Sequence, residues 1–381
     1  MASKAYRQVP LARPAVGEEE WRAMRQPIDS GWLTQGPRVK EFESKFAGVH
    51  NVQYAIATSS CTTALHLMMR AIDLAPGDEV IVPAFTWVAS ANAVSYCGAT
   101  PVFVDVLPNT YNIDPEAAEN ALTVRTRAVL AVHLFGLCAD MNELRARIPP
   151  EIPILEDAAC AAGAEYRGKR AGGLGLMAAF SFHPRKIITT GEGGMITTGN
   201  ELLATRVSRL RSHGAATPAE VRNESSEPFL LPDFDEVGYN YRMSDLQAAL
   251  GIVQLSRLEK FVHERRLIAD SYTRLLRDVP WLRTPEVPDG SLHSFQSYVV
   301  CLTDPAINRE HVMRCLLDHG IDSRPGTHAV TELTVYRNSI GNHPGNCPTA
   351  AQLHHRSLAL PMHNHLSQDD VSHVVATLRA I

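Results

Sequence analysis

Apolar residues follow two alternating patterns over the first 245 positions of this chain. Short runs rich in Val, Ile and Ala, several of them apolar throughout, alternate with longer stretches whose apolar positions recur every three to four residues. Runs that are apolar at every position are typical of strands covered on both faces of a parallel sheet. We therefore predict strands at 53–58, 79–83, 100–106, 127–134, 152–158, 178–183 and 193–198.

Helices are predicted between these strands. Residues 62–74 have apolar side chains at helical spacing and end at an Ala-Pro-Gly-Asp stop signal, and 114–122 and 142–148 fit as crossover helices. Strands that alternate with helices indicate an α/β fold, with a mostly parallel central sheet and helices on both faces.

The pattern changes after residue 244. Residues 213–240 contain several Pro, Gly and acidic residues and are predicted as a surface excursion, and two or more long helices follow it. Short strands at 294–302 and helices near 308–319 and 367–380 are predicted in the remainder. We predict a large domain at 1–245 and a smaller C-terminal α+β domain at 246–381.

Composition and charge exclude several classes of function. The chain has 381 residues, 45% hydrophobic and 20% charged, and its 36 basic and 41 acidic residues give a net charge of −5 without a long basic run. Nucleic-acid and anionic-membrane binding therefore receive no support. The N-terminus has no apolar signal-peptide region, and the longest apolar stretches are too short to span a bilayer.

The cysteines are scattered along the chain. The seven form no CxxC pair and no metal-type cluster. This arrangement fits small buried side chains in a reducing compartment, so we expect a cytoplasmic protein without a metal site.

The segment 181–198 contains the first candidate for catalysis. A strand delivers Ser181 and His183, Lys186 follows three residues later, and a turn rich in glycine leads into the next strand. A lysine on such a loop can face an interior cleft, where desolvation favours the neutral and nucleophilic amine. A surface lysine in a hairpin fits the same pattern, so the segment alone leaves both interpretations open.

An acidic pair ends one of the predicted strands. Glu156 and Asp157 lie where parallel strands present their carboxyl ends to a ligand crevice. A carboxylate at that position can pair with a protonated pyridine nitrogen, as the chemistry of pyridoxal phosphate (PLP) requires. An acid that caps a helix is the alternative, and the combination of Asp157 with Lys186 favours the PLP site.

A phosphate group would need hydrogen-bond donors. The turn Ser60-Cys61-Thr62-Thr63 lies between a predicted strand and a predicted helix, where unpaired N–H groups favour anions. Ser181 can add a hydroxyl, although an ordinary Ser/Thr helix cap explains the turn equally well. Trp87, on a loop after strand 79–83, can stack on a cofactor ring or belong to a core or an interface.

The chain resembles the DegT/DnrJ/StrS family of sugar aminotransferases, which are fold-type-I PLP enzymes. The resemblance runs from about residue 10 to the C-terminus and is carried by the following stretches, in this order: SSCTTALHL, VPAFTWVASANAV, PVFVDV, AVHLFG, LEDAAC, SFHPRKIITTGEGGMITT and GYNYRMSDLQAALG. The lysine segment and the last of these stretches are the most specific.

The resemblance implies a role for each candidate residue. Lys186 would hold the cofactor covalently and move protons, Asp157 would pair with the pyridine nitrogen, and Trp87 would stack on the ring. The phosphate would be held by Ser60, Cys61, Thr62, Thr63 and Ser181. Asn240 would reach the cofactor phosphate of a neighbouring subunit, which implies a homodimer with shared active sites.

Two positions depart from the family pattern. Cys160 replaces a usual Gln near the ring hydroxyl and is a weaker hydrogen-bonding group. Cys61 replaces a frequent Gly in the phosphate turn, a milder change if the contacts are made by backbone N–H groups. Some relatives have His in place of the lysine and act as dehydratases, so Lys186 favours transamination.

The implied reaction converts a nucleotide-linked keto sugar, usually a 4-keto-6-deoxyhexose, to the amino sugar, with L-glutamate as the donor. Thr34, Arg324 and His328 lie where relatives contact substrate, although a loop salt bridge also fits Arg324. A PLP-dependent dehydratase or lyase and a non-catalytic regulator with the same fold remain alternatives. A nicotinamide dehydrogenase is excluded by the lack of a GxGxxG motif after the first strand.

Overall fold

The computed structural model describes residues 8–216, 231, 233–337 and 347–381. The helices are α1 (Glu18–Ser30), α2 (Pro37–His50), α3 (Cys61–Ala71), α4 (Ala89–Ser95), α5 (Pro115–Asn120), α6 (Met141–Arg147), α7 (Glu201–Arg211), α8 (Asp245–Ser256), α9 (Leu258–Leu276), α10 (Arg309–Asp318), α11 (Thr334–Arg337), α12 (Pro348–Arg356) and α13 (Gln368–Arg379), with 3₁₀ turns at Leu134–Gly136 and Val330–Glu332.

The strands are β1 (Tyr54–Thr58), β2 (Glu79–Pro83), β3 (Phe85–Thr86), β4 (Thr100–Val104), β5 (Thr126–Val132), β6 (Ile154–Asp157), β7 (Glu165–Tyr166), β8 (Lys169–Arg170), β9 (Met177–Ser181), β10 (Gly194–Thr198), β11 (Leu282–Arg283), β12 (Ser291–Leu292), β13 (Tyr298–Leu302), β14 (Arg324–Pro325), β15 (His328–Ala329) and β16 (Ser357–Leu360).

The main sheet contains all seven of the strands predicted from the apolar runs. Its order is β1-β10-β9-β6-β5-β2-β4. Pairings from β4 through β9 are parallel, and β10 and β1 add antiparallel pairings at one side. The predicted α/β class with a mostly parallel central sheet is therefore confirmed.

Alternation along the central strands produces a core on each face of this sheet. In β2, the side chains of Val80 and Val82 belong to one buried cluster and that of Ile81 to another. Successive side chains of a strand project to opposite faces, so an entirely apolar strand contributes to both layers. Helices cover both faces, which explains why the alternation of polar and apolar residues is absent from the sequence.

A second sheet lies in the C-terminal part of the chain. Its strand order is β11-β13-β16-β14, and it packs with α9, α10 and α13 around a third core that includes Tyr272 and Tyr298. The division at residue 245 stays a prediction. Helix α8 packs against α1 and α2 of the N-terminal segment, and β15 pairs with β3, which joins His328 to Thr86.

The N-terminal segment differs from the prediction. No helix was predicted before residue 50, and α1 and α2 are present there. Most of the predicted surface excursion at 213–240 lies outside the described residues. Among the helices of the described ranges, none combines the length and the apolar character that a membrane crossing needs.

An aromatic cluster fixes α2 against the main sheet. The ring of Phe46, fully buried, stacks on His50 at 4.3 Å between centroids and contacts Phe180 at 5.0 Å and Phe182 at 5.6 Å. Because Phe182 follows directly on β9, the position of the loop that carries Lys186 depends in part on this packing.

We expect Phe46→Ala to lower the free energy of unfolding by about 3–5 kcal/mol, because the variant loses buried aromatic surface and leaves a cavity. Chemical denaturation followed by circular dichroism measures the change. Leu202→Ala is the control, since Leu202 is 82% exposed and its truncation removes little buried surface. Equal stability of the two variants would contradict this account of the cluster.

Candidate active site

The carboxyl ends of three parallel strands open into one cavity of about 360 Å³. Val132 ends β5, Asp157 ends β6 and Ser181 ends β9, and all three residues line it. The predicted site residues in its wall are Ser60, Cys61, Thr62, Trp87, Asp157, Cys160, Ser181, Lys186 and Arg324. Residues that were distant in sequence are thus brought together at the edge where an α/β sheet binds ligands.

Lys186 faces this cavity, which removes the interpretation as a surface lysine of a hairpin. Its Nζ donates a hydrogen bond to Cys160 Sγ over 3.1 Å. Burial lowers the pKa of the Lys186 amine, but the acidic groups of Cys160, Cys61 and Asp157 raise it, and the net pKa is above the ordinary value. Desolvation thus acts on this amine in the expected direction, but these neighbours, which the expectation did not include, outweigh it.

Asp157 is held in a fixed orientation by two donors. Ser90 Oγ donates to Asp157 Oδ2 over 2.7 Å, and the backbone N–H of Ala159 donates to Oδ1 over 3.1 Å. Ser90 Oγ also shares a hydrogen bond of 2.9 Å with Thr86 Oγ1, and all three side chains are buried. Thr86 and Ser90 were not predicted as site residues, although their separation of four residues beside Trp87 was a usable signal.

Glu156 projects to the opposite face of β6 and is fully buried. It accepts hydrogen bonds from His133 Nε2 at 2.9 Å and from the backbone N–H groups of Gly172 and Leu174 at 2.8 Å and Gly175 at 2.5 Å. Burial raises the pKa of this carboxyl, while the hydrogen bonds lower it, and the net pKa is below the ordinary value. This charge anchors the strand end that carries Asp157.

The start of α3 forms a polar end of the cavity. Ser60 caps the helix by accepting the N–H of Thr63 at 3.2 Å, and Thr63 Oγ1 accepts the N–H of Ser60 at 3.1 Å. Thr63 is thus engaged in the cap, and the cavity wall contains Ser60, Cys61 and Thr62 but not Thr63. The N–H groups of Cys61 and Thr62 have no partner inside the helix, so they can serve an anion.

Gly194 allows this turn to lie directly against β10. A Cβ at position 194 would be 2.5 Å from the carbonyl carbon and oxygen of Ser60 and 2.7 Å from the nitrogen of Cys61. Any side chain here would displace the helix start from the sheet. The glycine is therefore required by a close approach of two backbones beside the anion site.

The mouth of the cavity combines residues from both ends of the chain. Trp87 is 58% exposed, and its ring lies 5.8 Å from that of His328, which the β3–β15 pairing brings alongside. Thr34 and Asn240 are exposed and do not line the cavity. The roles predicted for Thr34, Asn240 and His328 stay predictions.

The cavity is also lined by polar residues that were not predicted as site residues. Arg185, Glu192 and Gln296 line the cavity with His183, and Gln296 Nε2 donates to the Arg185 carbonyl over 2.9 Å. Across the described ranges, His, Cys, Asp and Glu side chains form no group of three that could hold a metal ion.

Comparison with known proteins gives a consistent result. The model of the DegT/DnrJ/EryC1/StrS aminotransferase family matches residues 14–379. Spore coat polysaccharide biosynthesis protein SpsC of Bacillus subtilis is 36% identical over 385 residues, covering 100% of this chain and 99% of that protein. GDP-perosamine synthase of Caulobacter vibrioides is 38% identical over 374 residues, covering 97% of each.

Solved structures agree with this similarity. Spr1654 of Streptococcus pneumoniae, described as a sugar aminotransferase and solved in its PMP form, superposes with a TM-score of 0.92 at 28% identity and covers 98% of each chain. The family match, residues 14–379, spans every candidate site residue.

We expect Glu156→Gln to lower the free energy of unfolding by about 1–3 kcal/mol at neutral pH, because an amide NH₂ would face groups that are themselves donors. The folded-state pKa of Glu156 is below the ordinary value of 4.5. The carboxylate therefore contributes stability that is present above that value and is lost as the pH falls through the folded-state pKa.

Urea unfolding of the wild type and the variant at a series of pH values measures this difference, which should shrink as the solution becomes more acidic than about pH 4. Glu151→Gln is the control, since Glu151 is exposed. A difference that stays constant into the acid range would contradict the assigned role of the charge.

Proposed function

We propose an acceptor and a donor for this chain, which belongs to the DegT/DnrJ/EryC1/StrS aminotransferase family and is a PLP-dependent sugar aminotransferase. The acceptor is a nucleotide-linked 4-keto-6-deoxyhexose, and the donor is L-glutamate. Its product is the corresponding amino sugar. The occurrence of GDP-perosamine synthase among its relatives supports a nucleotide-linked acceptor.

The observation that carries the proposal is the meeting of an amine, a carboxylate and an anion site in one cavity. Lys186, Asp157 and the start of α3 all line it. These groups match the aldehyde, the ring nitrogen and the phosphate of PLP, and the Ser60–Cys61 turn beside Gly194 leaves N–H groups for the phosphate. The residues present therefore fit the cofactor.

Lys186 is the one primary amine among the described residues that line the cavity. PLP, when bound, supplies an aldehyde that accepts amino groups and a ring that withdraws electrons. Lys186 Nζ is the attachment point and also the base that takes and returns a proton beside it. Its hydrogen bond to Cys160 Sγ gives the amine a defined position.

Asp157 would pair with the ring nitrogen of the cofactor, where its negative charge would favour the protonated ring. Its two donors, Ser90 Oγ and the N–H of Ala159, fix the orientation of the carboxylate. Ser60, Thr62 and Ser181 supply hydroxyls, and the N–H groups of Cys61 and Thr62 supply backbone donors for the phosphate.

The acceptor side of the site is assigned to the cavity mouth. Trp87 stacks on the ring, and Arg324 and His328 contact the sugar substrate, together with Thr34. Asn240 reaches the phosphate site of a second copy, so the enzyme is a homodimer with shared active sites. The seven cysteines are scattered along the chain without a CxxC pair, which supports a reducing, cytoplasmic location.

The test of the proposed reaction is a panel of nucleotide-linked keto sugars incubated with L-glutamate and analysed by product mass. An amino sugar from a 4-keto-6-deoxyhexose is the expected result. Absorbance gives an independent check, because L-glutamate should convert the bound cofactor to its amine form. Failure of every amino donor to do so would instead favour a dehydratase or lyase.

We expect Lys186→Ala to abolish amino transfer while the fold is kept, because Lys186 is the only lysine among the described residues that line the cavity. Reduction of the wild type with borohydride followed by peptide mapping should place the cofactor on position 186. Lys169→Ala is the control, since Lys169 is exposed on the β7–β8 hairpin. A label at another lysine would refute the assignment.

We expect Asp157→Asn to slow the proton transfer by roughly 10²–10³-fold, the usual consequence of losing one fixed charge in an active site. Single-turnover absorbance with L-glutamate measures this rate. Asp289→Asn is the matched control, because Asp289 is exposed. An unchanged rate in Asp157→Asn would show that another acid serves the ring nitrogen.

A further inference from the structure

Three glutamine side chains form hydrogen bonds with the backbone of the loop between β9 and β10, which carries Lys186. The bonds lie at three separate points of the loop: Gln296 Nε2 donates to the Arg185 carbonyl (2.9 Å), Gln254 Oε1 accepts from the N–H of Thr189 (3.3 Å) and Gln247 Nε2 donates to the Glu192 carbonyl (2.7 Å). We call Gln247, Gln254 and Gln296 the glutamine clamp. The loop is thus fixed along its length by side chains that do not belong to the main sheet.

Gln296 acts on the part of the loop that is next to Lys186, because the carbonyl that it binds belongs to the preceding residue. Its side chain is buried and lines the catalytic cavity. Its Oε1 accepts a hydrogen bond from Ser297 Oγ over 3.1 Å. Since a backbone carbonyl only accepts, Nε2 faces Arg185, and both ends of the side-chain amide are engaged.

The segment that carries Gln296 is itself held against the end of β5. The N–H of Ser294 donates to the Gly136 carbonyl over 2.9 Å. A Cβ at position 136 would lie 2.6 Å from Ser294 Oγ and 3.0 Å from the nitrogen of Phe295, so the approach requires glycine. Phe295 has a φ of 47°, a conformation that a bulky residue keeps only where its surroundings impose it. The backbone that presents Gln296 therefore has a defined position.

Gln254 connects the same loop to the N-terminal segment. This residue of α8 is buried, and its Nε2 donates to the Ala15 carbonyl over 2.8 Å and to Glu20 Oε1 over 2.9 Å. Its Oε1 accepts from the loop at Thr189. The position of the loop thus depends on the start of the chain as well as on α8.

We propose that the glutamine clamp positions the amine of Lys186, an inference that rests on the role of Lys186 in the proposed function. Gln296 is the principal positioning residue, since it binds the peptide unit that joins Arg185 to Lys186. A shift of this peptide unit moves the amine with it, and a misplacement of about 1 Å at a reacting group can slow a reaction by roughly 10²-fold. The clamp acts through Lys186 and not on the substrate.

Hydrogen–deuterium exchange of the PLP-loaded enzyme tests the clamp without a reaction. Gln296→Met removes the donor and keeps a side chain of similar length. Peptides that cover residues 183–193 should exchange about threefold to tenfold faster in this variant, the effect of losing one hydrogen bond. Peptides that cover β1 should exchange as in the wild type. Gln53→Met is the matched control, because Gln53 is exposed, and it should leave both regions unchanged.

Single-turnover absorbance with L-glutamate separates positioning from substrate binding. Gln296→Met should lower the maximal rate roughly tenfold or more, because the amine is misplaced. The glutamate concentration that gives half of this rate should change less than about twofold, since the donor keeps its own contacts. A residue that bound the donor directly would raise that concentration instead, and such a result would contradict the inference.

Gln296→Asn is the second variant and also serves if Gln296→Met does not fold. It keeps an amide in the cavity wall but is one methylene too short for the Arg185 carbonyl. The exchange and the maximal rate should therefore change as in Gln296→Met. Wild-type behaviour of Gln296→Asn would show that polarity of the wall matters and the hydrogen bond does not, which overturns the inference.

The inference also fails if exchange at 183–193 is unchanged in a folded variant, or if the maximal rate stays within about twofold of the wild type. If glutamate does not convert the wild type, the proposed donor is refuted. The rate at which PLP becomes attached to position 186 of the PLP-free enzyme, measured by borohydride trapping, then replaces the glutamate rate, with the same slowing expected. A label away from position 186 would refute the role of Lys186 and the inference with it.

Discussion

The carboxylate of Glu156 is charged in an interior that excludes water, and its position depends on four donors: His133 and the backbone at Gly172, Leu174 and Gly175. These bonds join the ends of β5 and β6 to the connection that leads into β9. Because Asp157 follows in the same strand, it projects to the other face and into the cavity. The orientation of the catalytic wall thus depends on a charge that does not line the cavity.

The residues proposed to bind the cofactor lie at the carboxyl ends of two strands of the main sheet. Asp157 and Lys186 come from β6 and from the loop after β9, which are adjacent and parallel in the sheet. Ser90, on α4, fixes the carboxylate from one side, and Cys160 contacts the amine from the other. The two residues proposed to react with the cofactor therefore come from neighbouring strands of the sheet.

The sequence predicted those parts of the structure that one strand or one helix determines. All seven central strands were predicted because they are apolar on both faces. Asp157 and Lys186 were singled out because the first ends such a strand and the second follows one. Helix α2 was missed although Val39, Phe42 and Phe46 have helical spacing, whereas α1 buries only Glu20 and Pro27 and gives little pattern. Gln296 lines the cavity because of tertiary packing, and no local sequence pattern predicts a contact of this kind.

The β7–β8 hairpin lies inside the connection between β6, which ends at Asp157, and β9, which leads to Lys186. Its tip at Gly168 has no atom within 4 Å of a Cβ position, whereas Gly172 and Gly175 further along hold Glu156. Extra residues placed at the tip would extend into open space and leave the register of Asp157 with Ala179 intact. The hairpin is thus a tolerant insertion point for a reporter peptide, only a few residues from a segment whose length is fixed.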